Sequence, residues 1–189
     1  MRILAISGSL RRDSHNTRLL RHLAERAPAG VEIELWEGLK EIPPYDEDDD
    51  VVPAPPAVAE LREAVAAADG LLFATPEYNS SIPGVLKNAI DWVSRPRAET
   101  PFQGKPAAVV GASTGSFGAV WAQAELRKVL ASTGARVVDL DLPVPRAQEA
   151  FDADGVLVSD DHDARGSEIC AALAGEIERD SQVALAHAA

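Results

Sequence analysis

Two short runs, Gly70-Leu-Leu-Phe-Ala-Thr75 and Ala107-Ala-Val-Val-Gly111, are apolar on successive residues rather than on alternate ones. A strand with one face in water alternates, whereas one that is apolar throughout is covered on both faces. Such strands belong to a central parallel sheet with helices on either side. Periodicity predicts strands over 2–7, 31–36, 70–75, 106–112 and 136–141, and helices over about 15–27, 57–68, 83–94, 118–133 and 164–186. Five strands alternating with helices predict an α/β doubly wound sandwich with a five-stranded parallel sheet. Right-handed crossovers between adjacent strands then favour the strand order 2-1-3-4-5. A connection rich in Pro and Asp fills 37–56, and the stretch 143–163 shows no regular pattern, so it reads as a flap or a surface strap.

The 189 residues suit one domain spanning 1–189, with enough apolar material, 46 %, for a large core. A net charge of −12 argues against nucleic acid, because a phosphate backbone calls for clustered Lys and Arg. No apolar stretch approaches the ~18 residues of a membrane span. The strand pattern begins right after Met1, which leaves no room for a signal peptide and predicts a cytoplasmic protein. The single cysteine, Cys170, sits in the helical run Ile169-Cys-Ala-Ala-Leu173 and reads as a packing residue. No metal site is expected. His15, His22, His162 and His187 lack ligand spacing, and Ser9 and Ser113 lack the strand-to-helix elbow of a hydrolase nucleophile.

In an open sheet of this topology ligands bind beyond the carboxyl ends of the strands, at the switch point between the first and third strands. Three loops should converge there. The first, Ser7-Gly-Ser-Leu-Arg-Arg-Asp-Ser-His-Asn-Thr17, joins a strand to a helix, whose first N–H groups favour an anion. Gly8 permits close backbone approach, Ser7, Ser9, Ser14, Asn16 and Thr17 add neutral donors, and Arg11 or Arg12 adds charge. Ser14 or Asn16 would serve equally as a helix cap. The second loop, Thr75-Pro-Glu-Tyr-Asn-Ser-Ser-Ile-Pro-Gly84, is stiffened by two prolines and suits a flat heterocycle with carbonyl and imide edges. The third, Gly111-Ala-Ser-Thr-Gly-Ser-Phe-Gly118, allows backbone contact with a ligand edge. Either of these two, alone, also reads as a tight turn.

Together the loops resemble the NADPH-dependent FMN reductase family of flavodoxin-like flavoproteins, which includes quinone, chromate and azo-dye reductases. The resemblance spans most of residues 1–142 and rests on Gly8-Ser-Leu-Arg-Arg-Asp-Ser-His-Asn-Thr17 and on Pro76-Glu-Tyr-Asn-Ser-Ser-Ile-Pro-Gly-Val-Leu-Lys-Asn-Ala-Ile-Asp-Trp-Val-Ser-Arg-Pro96. It implies that Ser9, Arg11, Ser14, Asn16 and Thr17 hold the FMN phosphate, with Arg11 as the charged partner. It further implies that Pro76, Glu77, Tyr78 and Asn79 line the isoalloxazine, with Tyr78 shielding it, and that Ser113, Thr114 and Gly115 meet the ring from the opposite loop. Lys87, Asp91, Trp92, Arg95 and Pro96 resemble positions used for packing and subunit contacts. One stretch departs from the family pattern: Phe117-Gly-Ala-Val-Trp121 stands where two glycines and an arginine are usual, leaving Trp121 to narrow the site or pack against another subunit.

The resemblance implies an oxidoreductase in which FMN takes hydride from NADPH or NADH at N5 and hands electrons to a small acceptor such as free flavin or a quinone. It also implies a homodimer or homotetramer. Two other functions suit the same residues, a flavodoxin-type FMN electron carrier and a non-catalytic flavin-binding regulator.

Overall fold

The computed structural model describes residues 1–188, with side chains to residue 183. The chain runs β1 (Arg2–Ser7), α1 (His15–Glu25), β2 (Glu32–Trp36), α2 (Pro56–Ala67), β3 (Gly70–Thr75), α3 (Gly84–Val93), β4 (Pro106–Ala112), α4 (Val120–Ser132), β5 (Arg136–Val137), β6 (Pro143–Val144) and α5 (Asp160–Ala188). All strand pairs are parallel, in the order β2-β1-β3-β4-β5, as the sequence pattern predicts. Among the described residues no helix is long and apolar enough to cross a membrane.

Strand periodicity divides the core in two. Leu4, Ile6, Leu71, Phe73, Ala107 and Val109 face α2, α3 and α4, while their neighbours Ile3, Ala5, Leu72, Ala74, Ala108 and Val110 face α1 and α5. Every residue of β3 and β4 is buried, which explains why these two strands are apolar without alternation. The acidic 37–56 connection is held by its own backbone: Pro43 O accepts from Asn88 Nδ2 and from Trp92 Nε1, both at 2.8 Å, and Asn88 Oδ1 accepts from the Tyr45 N–H at 2.7 Å. Trp92, fully buried with Tyr45 edge-on at 4.9 Å, thus packs within the chain. Lys87 and Asp91 pair along α3.

Of the predicted strand over 136–141 only Arg136–Val137 is β5, and a sixth strand, β6, follows at Pro143–Val144, beyond the predicted range. β5 pairs with the start of β4 and β6 with its end. Between them the ladder breaks where Leu142 donates its N–H to Gln123 Oε1 at 3.2 Å, and Pro143 has no N–H to give. The stretch 143–163 is a packed strap rather than a flap, since Ala147, Ala150, Phe151 and Leu157 are buried against α1, β4 and α5. His22, on α1, holds it: its Nδ1 accepts from the Leu157 N–H at 3.3 Å and its Nε2 lies 2.6 Å from Asp163 Oδ1. The last helix starts at Asp160, before the predicted 164. Ser159 caps it, accepting from the His162 N–H, and three aspartates in the first turn complement its dipole.

Candidate active site

The loops after β1, β3 and β4 meet at the carboxyl ends of their strands and enclose an open cleft of about 290 Å3. Its lining includes Ser9, Arg11, Ser14 and Asn16 from the first loop, Pro76, Glu77 and Tyr78 from the second, and Ser113 and Thr114 from the third. A larger cavity of about 340 Å3 lies between the ends of α3 and α4, beside Lys87, Arg95 and Ser132, and shares no residue with these loops.

The first loop packs tightly onto the second. The Gly8 N–H donates to Ala74 O at 2.8 Å, and a Cβ on Gly8 would stand 2.9 Å from Leu86 Cδ2 and 3.4 Å from Pro76 Cδ. Close approach favours glycine here, since a side chain would press on the buried Leu86. Ser14 caps α1, its Oγ accepting from the Thr17 N–H at 3.2 Å. The Arg18 N–H returns to Ser14 O, so among the first N–H groups of α1 those of His15 and Asn16 have no protein acceptor. Thr17 Oγ1 donates to Ser7 Oγ at 2.9 Å and braces the loop; Thr17 lines an adjoining cavity rather than the cleft itself.

Asn16 has a different place from the one its position in the loop suggests. Its Nδ2 donates to Ala112 O and its Oδ1 accepts from the Ala112 N–H, both at 2.9 Å, with the side chain almost fully buried. It therefore clamps α1 to the end of β4, leaving only the second amide hydrogen and the backbone N–H for a ligand. Glu77 lines the cleft but also has a structural partner: its Oε2 accepts from the Trp121 N–H at 3.0 Å and the Ala122 N–H at 3.1 Å, capping α4. That helix needs an external cap because Ala119, its N-cap residue, has φ of 62° and offers no side-chain acceptor.

The remaining predicted residues are placed by backbone geometry. Asn79 and Ser80, with φ of 54° and 61°, form the tip of a tight two-residue turn closed by reciprocal bonds between Tyr78 and Ser81. Asn79 lies outside the cleft lining, and Tyr78 stands at the edge, 53 % exposed. Gly115 also lies outside it; its N–H reaches Ser113 Oγ and its carbonyl accepts from the Arg146 N–H, so the third loop is bonded to the strap. Gly118, at φ 59°, could not carry a side chain, because a Cβ would stand 2.5 Å from the Pro143 carbonyl carbon. Phe117 and Trp121, 62 % and 48 % exposed, meet edge-to-face at 4.9 Å beyond this turn.

Two lining residues, His15 and Ala112, are not anticipated by the loop reading. Burial first, then the charges of Arg11 and Arg18, push the His15 pKa below the ordinary histidine value. Its Nδ1 is buried with no protein partner, and its ring lies parallel to Phe151 of the strap. The sequence signal was its place directly after the cap Ser14, at the first helical position. The cleft thus has a cationic, donor-rich end at the first loop and a second end walled by the loops after β3 and β4. That suits an elongated ligand with an anionic terminus and a flat polar body.

Comparison with known proteins identifies the family of the chain. A family model for NADPH-dependent FMN reductases matches residues 1–149. An NAD(P)H-dependent FMN reductase of Pseudomonas aeruginosa is 49 % identical over 161 residues, 85 % of this chain and 86 % of the relative. A 2-hydroxy-1,4-benzoquinone reductase of a Burkholderia species is 39 % identical over 162 residues, 85 % and 87 % of the two chains. Among solved structures, the flavoenzyme NAD(P)H:(acceptor) oxidoreductase FerB of Paracoccus denitrificans superposes with a TM-score of 0.83 at 35 % identity, covering 94 % of this chain and 97 % of its own.

Proposed function

The chain belongs to the NADPH-dependent FMN reductase family and is a flavin-dependent NAD(P)H oxidoreductase, and from that premise we propose that FMN is held in the cleft between the loops after β1, β3 and β4. The observation that carries this reading is the convergence on one cleft of Ser9, Arg11 and Ser14 with Pro76, Tyr78 and Ser113. The residues fit the group. His15 Nδ1 is an orphaned buried polar atom, and two helix N–H groups lack acceptors.

At the phosphate end the N–H groups of His15 and Asn16, the hydroxyls of Ser9 and Ser14 and the guanidinium of Arg11 supply donors and charge. The Ser14 hydroxyl accepts from Thr17, which leaves its own proton for an anion. Thr17 acts by bracing Ser7. At the ring end the backbone of 76–78 and of 113–114 presents polar groups from opposite walls, and Tyr78 covers the edge. When bound, FMN supplies the redox chemistry, taking hydride from NAD(P)H and passing electrons to an acceptor, while the protein supplies position and electrostatics. The acceptors are small and planar, quinones or free flavin, as the names of the relatives support. The same proposal takes the chain as a single domain acting in the cytoplasm as a homodimer or homotetramer, which light scattering on the purified protein reads directly.

The test is anaerobic spectroscopy. Protein loaded with FMN and desalted should stay yellow, bleach when NADPH is added, and recover its colour when a benzoquinone follows. Colour that survives NADPH, or FMN lost on desalting, overturns the reading. Arg11→Ala should weaken FMN binding by about 1.5–3 kcal/mol, the range for a charged hydrogen bond.

A further inference from the structure

A second cavity, of about 230 Å3, opens on the other side of the first loop, between the ends of β1 and β2. It shares Ser9 and Arg11 with the FMN cleft, so the two are contiguous. Its floor is apolar, made by Leu35, Trp36 and Leu39. Four cations, Arg11, Arg12, Arg21 and Lys40, line it against a single carboxylate, Glu37, which is paired with Arg21 at 3.3 Å. Among the described residues Arg11, Arg12 and Lys40 form no ion pair with any carboxylate.

That concentration stands out in a chain with 30 acidic and 18 basic residues. A protein so acidic has carboxylates enough to neutralise three cations, yet here they surround a concave, apolar-floored space without them. The Trp36 ring is braced by contact with the Gly38 backbone, where a Cβ would overlap its ring carbons, and its Nε1 is a buried donor that no protein atom accepts. A simple anion would satisfy the cations and leave the floor unused; an apolar ligand would do the reverse. A purine nucleoside bearing a phosphate satisfies both. The volume is below the usual range for a whole ligand, so the cavity accommodates one end of something longer.

We propose that this cavity receives the 2′-phosphoadenosine end of NADPH, with Arg12 and Lys40 on the phosphate and Trp36, Leu35 and Leu39 beneath the adenine. The inference rests on the placement of FMN proposed above and deepens it: a nicotinamide directed at the ring end of the cleft leaves the adenosine end to lie elsewhere. The 2′-phosphate is the group that distinguishes NADPH from NADH, so the cations make this enzyme selective for NADPH.

The test uses adenosine 2′,5′-bisphosphate and adenosine 5′-monophosphate as probes, titrated calorimetrically into the FMN-loaded protein and into Arg12→Ala, Lys40→Ala and the double variant. The expected result is tighter binding of the bisphosphate to the parent by about tenfold or more, and loss of that difference in the double variant. The NADPH-to-NADH ratio of kcat/KM should fall by a similar factor, about tenfold, with FMN affinity unchanged. Equal binding of the two nucleotides by the parent overturns the proposal. So does a fall in FMN affinity in the double variant, which would make the cavity part of the FMN phosphate cradle. If instead the parent fails to retain FMN, the FMN placement fails, and the nucleotide titration on the flavin-free chain still decides whether the cavity discriminates the 2′-phosphate.

Discussion

Replacing Asn16 by alanine separates a structural clamp from a ligand donor. The side chain makes two buried bonds of 2.9 Å to one residue, Ala112, itself 2 % exposed. Truncation deletes both bonds and leaves the Ala112 N–H and C=O without partners at the end of the central strand, each costing about 1–3 kcal/mol. Alanine recovers a little helix propensity, about half a kcal/mol, and water entering the vacated space recovers more. The net expectation is a loss of about 3 kcal/mol, which for a chain of this length lowers Tm by roughly 6–12 °C. Urea unfolding of the flavin-free protein, followed by far-UV circular dichroism, should show a lower midpoint at unchanged slope. Asn16→Asp should lose a similar amount, because a carboxylate oxygen would then face the Ala112 carbonyl. Ser14→Ala, which removes only the cap bond, should cost about 1 kcal/mol. A loss below about 1 kcal/mol for Asn16→Ala in the flavin-free state would refute the clamp and return Asn16 to a role felt only when FMN is bound.

Glu77→Ala should destabilise the protein by about 1–2 kcal/mol, as expected for a lost helix cap, with Glu77→Gln costing less because one amide oxygen can still accept; equal stability of all three in thermal melts would contradict the capping. His15 contributes a pH dependence whose sign follows from its lowered pKa. The unfolded chain, at the ordinary value of 6.5, binds more protons than the fold, so His15-linked stability is present above that pH and is lost as pH falls below it. In flavin-free protein the fall in urea midpoint on acidification should shrink in His15→Gln, and an unchanged pH profile would overturn this. Cys170, whose thiol burial pushes up to about 11, should not react with a disulfide reagent near neutrality until denaturant is added.

Strand order and the site's location were legible because each depends on short-range pattern: buried strands are apolar throughout, and topology then selects the end of the sheet where ligands bind. What was not legible lies in contacts between segments far apart in sequence. Asn16 reads as an anion donor in its loop, but its partner is 96 residues away. Glu77 lies in a loop rich in ligand-like residues and also completes a helix 44 residues on. His15 reads as incidental until burial and two arginines are placed around it. Backbone sign is equally hidden: Asn79, Ser80, Ala119 and Arg146 all take positive φ without being glycine. Ala119, in the stretch that departs from the family's usual glycines, takes a left-handed conformation.

These distant contacts bear on how the cleft binds. The Gly8 N–H ties the first loop to β3, Asn16 ties it to β4, Glu77 ties the second loop to α4, and Ser113 and Gly115 tie the third to the strap. The three walls are therefore joined by protein hydrogen bonds that need no cofactor. A ligand entering such a site does not have to order the loops, and the entropy that ordering would cost stays out of the binding free energy. Outside this frame, the cationic side chains of Arg12 and Lys40 form no ion pair among the described residues. On the proposed placement, the hydrogen-bonded frame holds the flavin, and the unpaired Arg12 and Lys40 face the dinucleotide. Loss of a clamp should therefore weaken FMN retention, whereas loss of Arg12 and Lys40 should weaken dinucleotide binding and leave FMN retention unchanged.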